Sequence, residues 1–358
     1  NKTALKSHGL DSNGQLYKIN SFEFYRYEDI IKKEDDAGYD KTAFEKMLEI
    51  KGDSDHTKLI DMLTDLNDYS IGIEDVLKEH FDEENIVYWM AFQILMGNVD
   101  TQNRNVYLYS PLNSDIWYFI AWDNDGCLMR PEYELRNFSD QNSWEKGISN
   151  YWGNILFQRC LKSRSFREKL NDAILDLREY LNKDMLTSKI ESYKNVLKPY
   201  LYLMPDAEYE PLTSEQYDQI AASLPDEIEK NYQLYLESLE TPMPFYIGVP
   251  TIDGDKLKFN WDVSYDLDAE DITYSVEVAG DYLFRDVIYQ NTTLTVPEAE
   301  MDLPKAGQYF VRVRATNTSG KTQDAFDYYV TDEGKYYGMR CFYITEDSTV
   351  EEDDYEEG

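Results

Sequence analysis

The chain has little of what most metalloenzymes and hydrolases depend on. Its three cysteines, Cys127, Cys160 and Cys341, are far apart and form no Cys-x-x-Cys pair, so neither a zinc site nor a disulfide framework is indicated. Its three histidines, His8, His56 and His80, are equally scattered, which argues against a Ser-His-Asp hydrolase or a His-ligated metal. No apolar run approaches the roughly twenty residues that span a bilayer. Glycine is scattered too: Gly9, Gly14 and Gly38 are isolated, and no glycine-rich phosphate loop is visible. Basic residues are scarce, 35 Lys and Arg against 70 Asp and Glu, for a formal net charge of −35. A surface of that sign repels nucleic acid and anionic lipid headgroups. It also repels a free nucleotide, unless a divalent cation neutralises both sides. The chain begins at Asn1 without an initiator Met, a charged n-region or an apolar h-region, so a fragment or processed form of something longer is expected.

What is present reads as globular. Of 358 residues 42% are apolar and 15% aromatic, with 31 tyrosines, enough for two domains and a sizeable core. Short strand-like runs at Leu16–Ile19 and Phe22–Tyr27 precede helical spacing over Lys41–Ile50 and Thr57–Leu66. Asn85–Met96 places Ile86, Val87, Met90, Ala91, Ile94 and Leu95 on one stripe, and Gly97 follows as a stop. Helical periodicity resumes from Trp152 through Phe166–Leu181 and Met185–Leu201, with a last helix near Ser214–Leu239. After Thr241-Pro-Met-Pro244 the period changes to two, in Lys256–Val263, Ile272–Val278, Leu283–Gln290, Thr292–Val296 and Gln308–Arg314. Evenly spaced strands of this kind predict a β-sandwich. The residues after 345 are so acidic that a disordered tail is expected.

The richest stretch runs from 98 to 126. Asp100 and Asn105 lie five residues apart in a predicted loop, followed by Val106–Tyr109, a turn, Ile116–Trp122 and then Asp123-Asn124-Asp125-Gly126. Phosphoryl transfer needs these parts: a carboxylate to orient or deprotonate the attacking hydroxyl, and an amide and a further carboxylate to hold magnesium against the phosphates. In protein kinases the catalytic-loop Asp and its Asn are also five apart, and a hairpin leads on to the metal-binding Asp. The flanking letters differ, with Asn98-Val99-Asp100 in place of His-Arg-Asp and Asp-Asn-Asp-Gly in place of Asp-Phe-Gly. If the strand continues through 125, Asp123 and Asp125 share a face, and two carboxylates that close repel without a cation between them. Their hard oxygens suit Mg²⁺ or Mn²⁺.

These residues resemble the spore-coat protein H (CotH) kinase family, an atypical branch of the kinase-like fold. The resemblance rests on Asn98-Val99-Asp100, on the Asn105–Tyr109 strand and on the run 117–126. Gly14–Lys18 and the helical stretch with Ser165-Phe166-Arg167 extend it to about residues 10–235. It implies ATP and Mg²⁺ as cofactors and a Ser/Thr protein as acceptor, outside the cytoplasm of a bacterium, at the cell surface or in a spore coat. Asp100 is the implied base, with Asn105 and Asp123 as metal ligands and Asp125 in support. Trp122 is the implied adenine stacker, with Tyr17 as an opposing ring and Lys18 as a phosphate contact. Only 97 residues precede Asn98, so the part that covers the nucleotide is expected to be missing or minimal.

Trp261, Tyr274–Val278 and Tyr309–Gly320 resemble a fibronectin type III domain. The expected architecture is α+β: a mainly helical kinase-like lobe over 1–240, a fibronectin-type sandwich over 243–335 and an acidic tail over 336–358. The rival class is a non-catalytic surface protein that binds a polysaccharide or a partner protein, which the many tyrosines and the sandwich also suit.

Overall fold

The computed structural model describes residues 2–135, 144–331 and 334–352. The chain divides into two compact units, Asn1–Glu132 with Asn150–Leu234, and Tyr133–Ser149 with Tyr235–Gly358. The first is mainly helical with one small sheet, and the second is largely antiparallel β-structure, so the fold is α+β as expected.

In the helical part the elements are α1 (Lys2–Ser7), β1 (Gln15–Ile19), α2 (Lys41–Met47), β2 (Leu48–Ile50), α3 (Thr57–Asn67), α4 (Ile73–His80) and α5 (Glu83–Met96). They are followed by β3 (Val106–Ser110), β4 (Tyr118–Ala121), α6 (Arg130–Leu135), α7 (Ile155–Lys162), α8 (Arg164–Tyr180), α9 (Lys183–Leu201), α10 (Ser214–Ser223) and α11 (Glu227–Glu240). The sheet has the antiparallel order β2-β1-β3-β4. Tyr17 opposes Leu108, and Leu108 opposes Phe119, so these three share one face. All three are buried, which makes that face the core side. Lys18, Tyr107 and Ile120 form the next row and point the other way.

Helix α5 anchors the loop that carries Asp100. The Asp82 carboxylate accepts the Asn85 N–H at 3.0 Å, and Glu83 and Glu84 sit at the positive end of the helix dipole. Buried residues occupy nearly all of its circumference, with Trp89 and Gln93 added to the predicted stripe. Trp89 stacks on Phe157 of α7 with centroids 5.6 Å apart and meets Phe119 of β4 edge-on at 5.1 Å. Each such apolar side chain contributes about 1.5–3 kcal/mol by leaving water. Gly97 ends the helix at φ +60°, and its N–H donates to the Gln93 and Ile94 carbonyls. A Cβ there would lie 2.7 Å from Asn231 Nδ2, so glycine is required twice over.

Two expectations fail in this unit. Phe22–Tyr27 is not a strand: Phe24 and Tyr27 have positive φ, and the segment runs irregularly between buried aromatics. Lys41–Ile50 is a helix only to Met47, after which β2 pairs with β1.

The second unit carries β5 (Thr251–Asp253), β6 (Lys256–Asn260), β7 (Ile272–Ala279), β8 (Val287–Leu294), β9 (Glu298–Asp302), β10 (Gly307–Asn317), β11 (Thr322–Asp324), β12 (Tyr328–Thr331), β13 (Gly334–Tyr337), β14 (Met339–Ile344) and β15 (Val350–Glu352). One sheet runs β15-β14-β10-β7-β8 with β11 beside β10; a second runs β5-β6-β9. Leu257 and Phe259 from the second sheet share a core with Val276, Val278, Val311, Val313 and Phe342 from the first. The structure corrects the tail expected over 336–358. Met339–Ile344 pairs with β10 in the middle of the large sheet, and Phe342 is fully buried. Residues 353–358 lie outside the described residues. The boundary expected at 240 falls instead between Leu234 and Tyr235.

Candidate active site

The end of α5 fixes the loop from Asn98 onward. The Gln93 carbonyl accepts from Asn98 N, the Leu95 carbonyl from Asn231 Nδ2 at 2.9 Å, and the Met96 carbonyl from Leu128 N at 2.8 Å. Carbonyls that a helix C-terminus normally leaves to water are thus taken by three other segments.

The loop from Asn98 to Asn105 has no regular structure, yet four of its carbonyls, those of Asn98, Val99, Gln102 and Asn103, accept hydrogen bonds. Thr101 Oγ1 donates to Asn98 O at 3.0 Å and meets the Tyr151 hydroxyl at 3.1 Å. Asn150 Nδ2 donates to Val99 O at 3.1 Å, and Asn154 Nδ2 to Gln102 O at 2.9 Å. Phe22 N donates to Asn103 O at 2.9 Å. The Asn103 amide in turn donates to Glu23 Oε1 at 2.6 Å, and Glu23 Oε2 accepts the Tyr27 hydroxyl at 2.5 Å. These bonds tie the loop to Phe22, Glu23, Asn150, Tyr151 and Asn154 at several points.

Asp100 projects from this loop with its side chain 52% exposed. Asn105, held at φ +57°, donates its amide nitrogen to Asp100 Oδ2 at 2.6 Å. That geometry turns the Asn105 Oδ1 away from the carboxylate. Arg104 Nε lies 3.6 Å from Asp100 Oδ1. Partial burial pushes the Asp100 carboxyl above the ordinary carboxylate range. Arg104 and the Asn105 hydrogen bond oppose that rise, while Asp125 and Asp123 add to it. The carboxylates of the second segment are therefore within electrostatic reach of Asp100.

That second segment follows β4. The strand ends at Ala121, Asp123 takes a left-handed conformation at φ +55°, and Asn124–Gly126 closes a single 3-10 turn. The shared strand face expected for Asp123 and Asp125 is thus replaced by a tight turn; both side chains are exposed. A Cβ on Gly126 would sit 2.6 Å from Asn98 Oδ1 and 3.7 Å from Asp100 Cβ, so the loop and the turn meet at this glycine. A buried amide group ties them together. Gln93 Nε2 donates to Asn124 Oδ1 at 3.2 Å, and Asn98 Nδ2 donates to Gln93 Oε1 at 3.0 Å.

Trp122 is 45% exposed, its ring edge-on to Tyr107 at 5.3 Å. Lys18 opposes Tyr107 on β1 and so lies on the same sheet face. Tyr17 does not join them. It is fully buried on the opposite face, with its hydroxyl 2.7 Å from His56 Nδ1 and its ring beside Phe44 and Trp117. The expected opposing stacker is a core residue, because strand alternation puts its neighbour Lys18, and not Tyr17, on the open side.

The donor set fits a cation held mainly through a nucleotide. Asn105 Oδ1, Asp123 and Asp125 offer hard oxygens, and Asp100 is pushed up in part by its carboxylate neighbours. Among the described residues no three His, Cys, Asp or Glu side chains form a ready cage. Mg²⁺ usually takes one or two carboxylates and completes its shell with phosphate oxygens and water. The roles of Gln93, Asn124, Arg104 and Glu23 carried no signal in the sequence. Only Asn98 did, by standing where kinases have the first residue of His-Arg-Asp.

A protein-family model described as "CotH kinase protein" matches residues 1–235, ending where the helical unit ends at Leu234. No curated protein matches the chain. Among solved structures the chain is similar to surface layer protein SbsC, domains 1-6, at 12% identity over 92% of this chain. It spans 41% of that chain at a TM-score of 0.16, which carries no argument about fold or function.

Proposed function

We propose a phosphotransfer function from one premise: the chain belongs to the CotH kinase protein family. Its first unit is a kinase-like domain. The finer reading is Mg²⁺-dependent transfer of the ATP γ-phosphoryl group to Ser or Thr of a protein outside the cytoplasm. The observation that carries it is the meeting of the Asp100–Asn105 loop with the Asp123–Gly126 turn at Gly126. Five residues of spacing and a hairpin here become one acidic surface.

Asp100 orients the acceptor hydroxyl and takes its proton. Its raised affinity for a proton favours that role, since a carboxyl partly withdrawn from water, with Asp125 and Asp123 adding to the effect, is a better base than a free one. Asn105 Oδ1 and Asp123 would hold the metal, with Asp125 in support; the metal would neutralise the phosphate charge that a −35 protein otherwise repels. Trp122 offers an exposed ring for the adenine, and Lys18, on the same sheet face, a cation for phosphate. The sandwich, fibronectin type III-like in its strand pattern, serves as a spacer outside the cell or in a spore coat. No helix among the described residues is long and apolar enough to cross a membrane.

The test is transfer of labelled γ-phosphate from ATP to a Ser/Thr-rich protein with Mg²⁺, for the native chain and Asp100→Asn. A general base is worth about 10²–10⁴ in rate, so the variant should lose at least 100-fold while keeping its circular dichroism. Equal rates in both would remove Asp100 from the chemistry. A native chain that binds a cell-wall polysaccharide but never transfers phosphate would favour the non-catalytic surface protein.

A further inference from the structure

We propose that Arg104 is a catalytic residue that engages the γ-phosphoryl oxygens of the bound nucleotide, an inference that rests on the phosphotransfer reading above. The surface where the loop meets the turn carries three carboxylates, Asp100, Asp123 and Asp125. A phosphoryl group in transfer spreads negative charge over three equatorial oxygens, and a fixed cation facing them is one of the largest contributions a site can make. Arg104 is the cation paired with Asp100, four residues further along the same loop.

Its pairing is loose. Arg104 Nε lies 3.6 Å from Asp100 Oδ1, beyond ordinary hydrogen-bond range, and the side chain is 43% exposed. No other hydrogen bond or ion pair of its guanidinium forms among the described residues. Other arginines here are committed to the fold: Arg130 reaches Asn231 Oδ1 at 2.7 Å and Glu227 at 3.3 Å, and Arg340 pairs with Asp327 and Glu352. The backbone that carries Arg104 is nonetheless fixed on both sides. Asn103 is clamped by Phe22 and Glu23, and Asn105 by Asp100. A loosely held guanidinium on a firmly held loop is suited to exchange one anion for another. Its planar fork matches a phosphoryl group better than the single long Nε contact it makes now.

In the step this implies, the acceptor hydroxyl oxygen forms a bond to the γ-phosphorus as the bond from that phosphorus to the β,γ-bridging oxygen breaks. The hydroxyl proton passes to Asp100, and ADP leaves with the bridging oxygen. Arg104 moves from Asp100 to the transferring oxygens, which also releases Asp100 to act as base.

The discriminating measurement is the affinity of the full chain for ATP and for ADP, each with Mg²⁺, in the native protein, Arg104→Lys and Arg104→Ala, together with the transfer rate. ADP lacks the group Arg104 is proposed to hold. Expected for Arg104→Ala are ADP affinity within twofold of native, weakened ATP affinity and a transfer rate lower by about 10²–10³-fold. Arg104→Lys should recover part of the rate. ATP and ADP weakening together, or an unchanged rate, would overturn the assignment and leave the phosphotransfer reading standing. A native chain that binds neither nucleotide would overturn both.

Discussion

Gly126 gives the sharpest test of how the Asp100 loop and the Asp123–Gly126 turn are joined. Replacing it with alanine adds a Cβ 2.6 Å from Asn98 Oδ1 and 3.7 Å from Asp100 Cβ. Real Cβ atoms do not approach that closely, so the Asn98 amide or the turn must move. Asn98 is 2% exposed and donates to Gln93 Oε1 at 3.0 Å, so it cannot swing out to solvent without leaving that acceptor unpaired. Overpacking a held site costs about 1–3 kcal/mol. In a unit of this size that lowers its melting temperature by about 2–4 °C per kcal/mol. Asn98→Ala alone strips Gln93 of a buried partner, at about 1–3 kcal/mol. The double variant removes the atom that the new methyl group strikes. Its cost should therefore fall short of the sum of the singles by at least about 1 kcal/mol, well outside the scatter of independent sites. Urea unfolding of all four proteins, followed by tryptophan fluorescence, reads this directly. Costs that add to within about 0.5 kcal/mol, the scatter of independent sites, would mean that Gly126 and Asn98 do not meet as described.

Two further perturbations probe the frame around the site. His56 is fully buried, bonded to the Tyr17 hydroxyl and stacked on Phe44 at 4.2 Å. Burial holds its pKa below the ordinary value, against the pull of Glu34, Asp55 and Asp53. A base depressed in the folded state gives stability that is present above its unfolded pKa, about 6.5, and is lost as pH falls. Native stability should drop by up to about 1.4 kcal/mol per pH unit below that point; in His56→Gln this share of the slope should vanish, as unfolding at pH 7.5 and 5.5 would reveal. Glu23→Gln weakens the clamp on Asn103 and Tyr27, whose bonds to a charged acceptor are worth about 1.5–3 kcal/mol each. It should loosen MgATP binding measured by calorimetry while leaving the far-ultraviolet circular dichroism unchanged, and undiminished affinity would count against the clamp.

Much of this was legible because a few residues report more than their own position. Gly97 announced the end of α5, and the left-handed conformation it adopts is one that few other residues take without strain. The five-residue spacing of Asp100 and Asn105 corresponds to a direct hydrogen bond between them. Period-two alternation located β6, β7 and β10 within a few residues. Tyr17 misled because a single exposed or buried ring looks alike in sequence, and only pairing with β2 and β3 decides which face is covered. The acidity after residue 345 hid the strands nearby. Met339–Ile344 buries Met339, Cys341, Phe342 and Ile344, but Arg340 interrupts the apolar pattern, and that charge is neutralised by Asp327 and Glu352. The amides of Gln93, Asn124, Asn150 and Asn154 were invisible for a different reason. Each acts on a backbone or side-chain atom far along the chain, and no local pattern marks such a partner.

Phosphotransfer here requires that this acidic surface bind a metal–nucleotide complex through Asp123. Calorimetric titration of the full chain with ATP, with and without Mg²⁺, beside Asp123→Asn, tests it most directly. The predicted result is binding that requires Mg²⁺ in the native chain and is lost in the variant. Binding of equal strength in the native chain and Asp123→Asn, or binding indifferent to Mg²⁺, would contradict it.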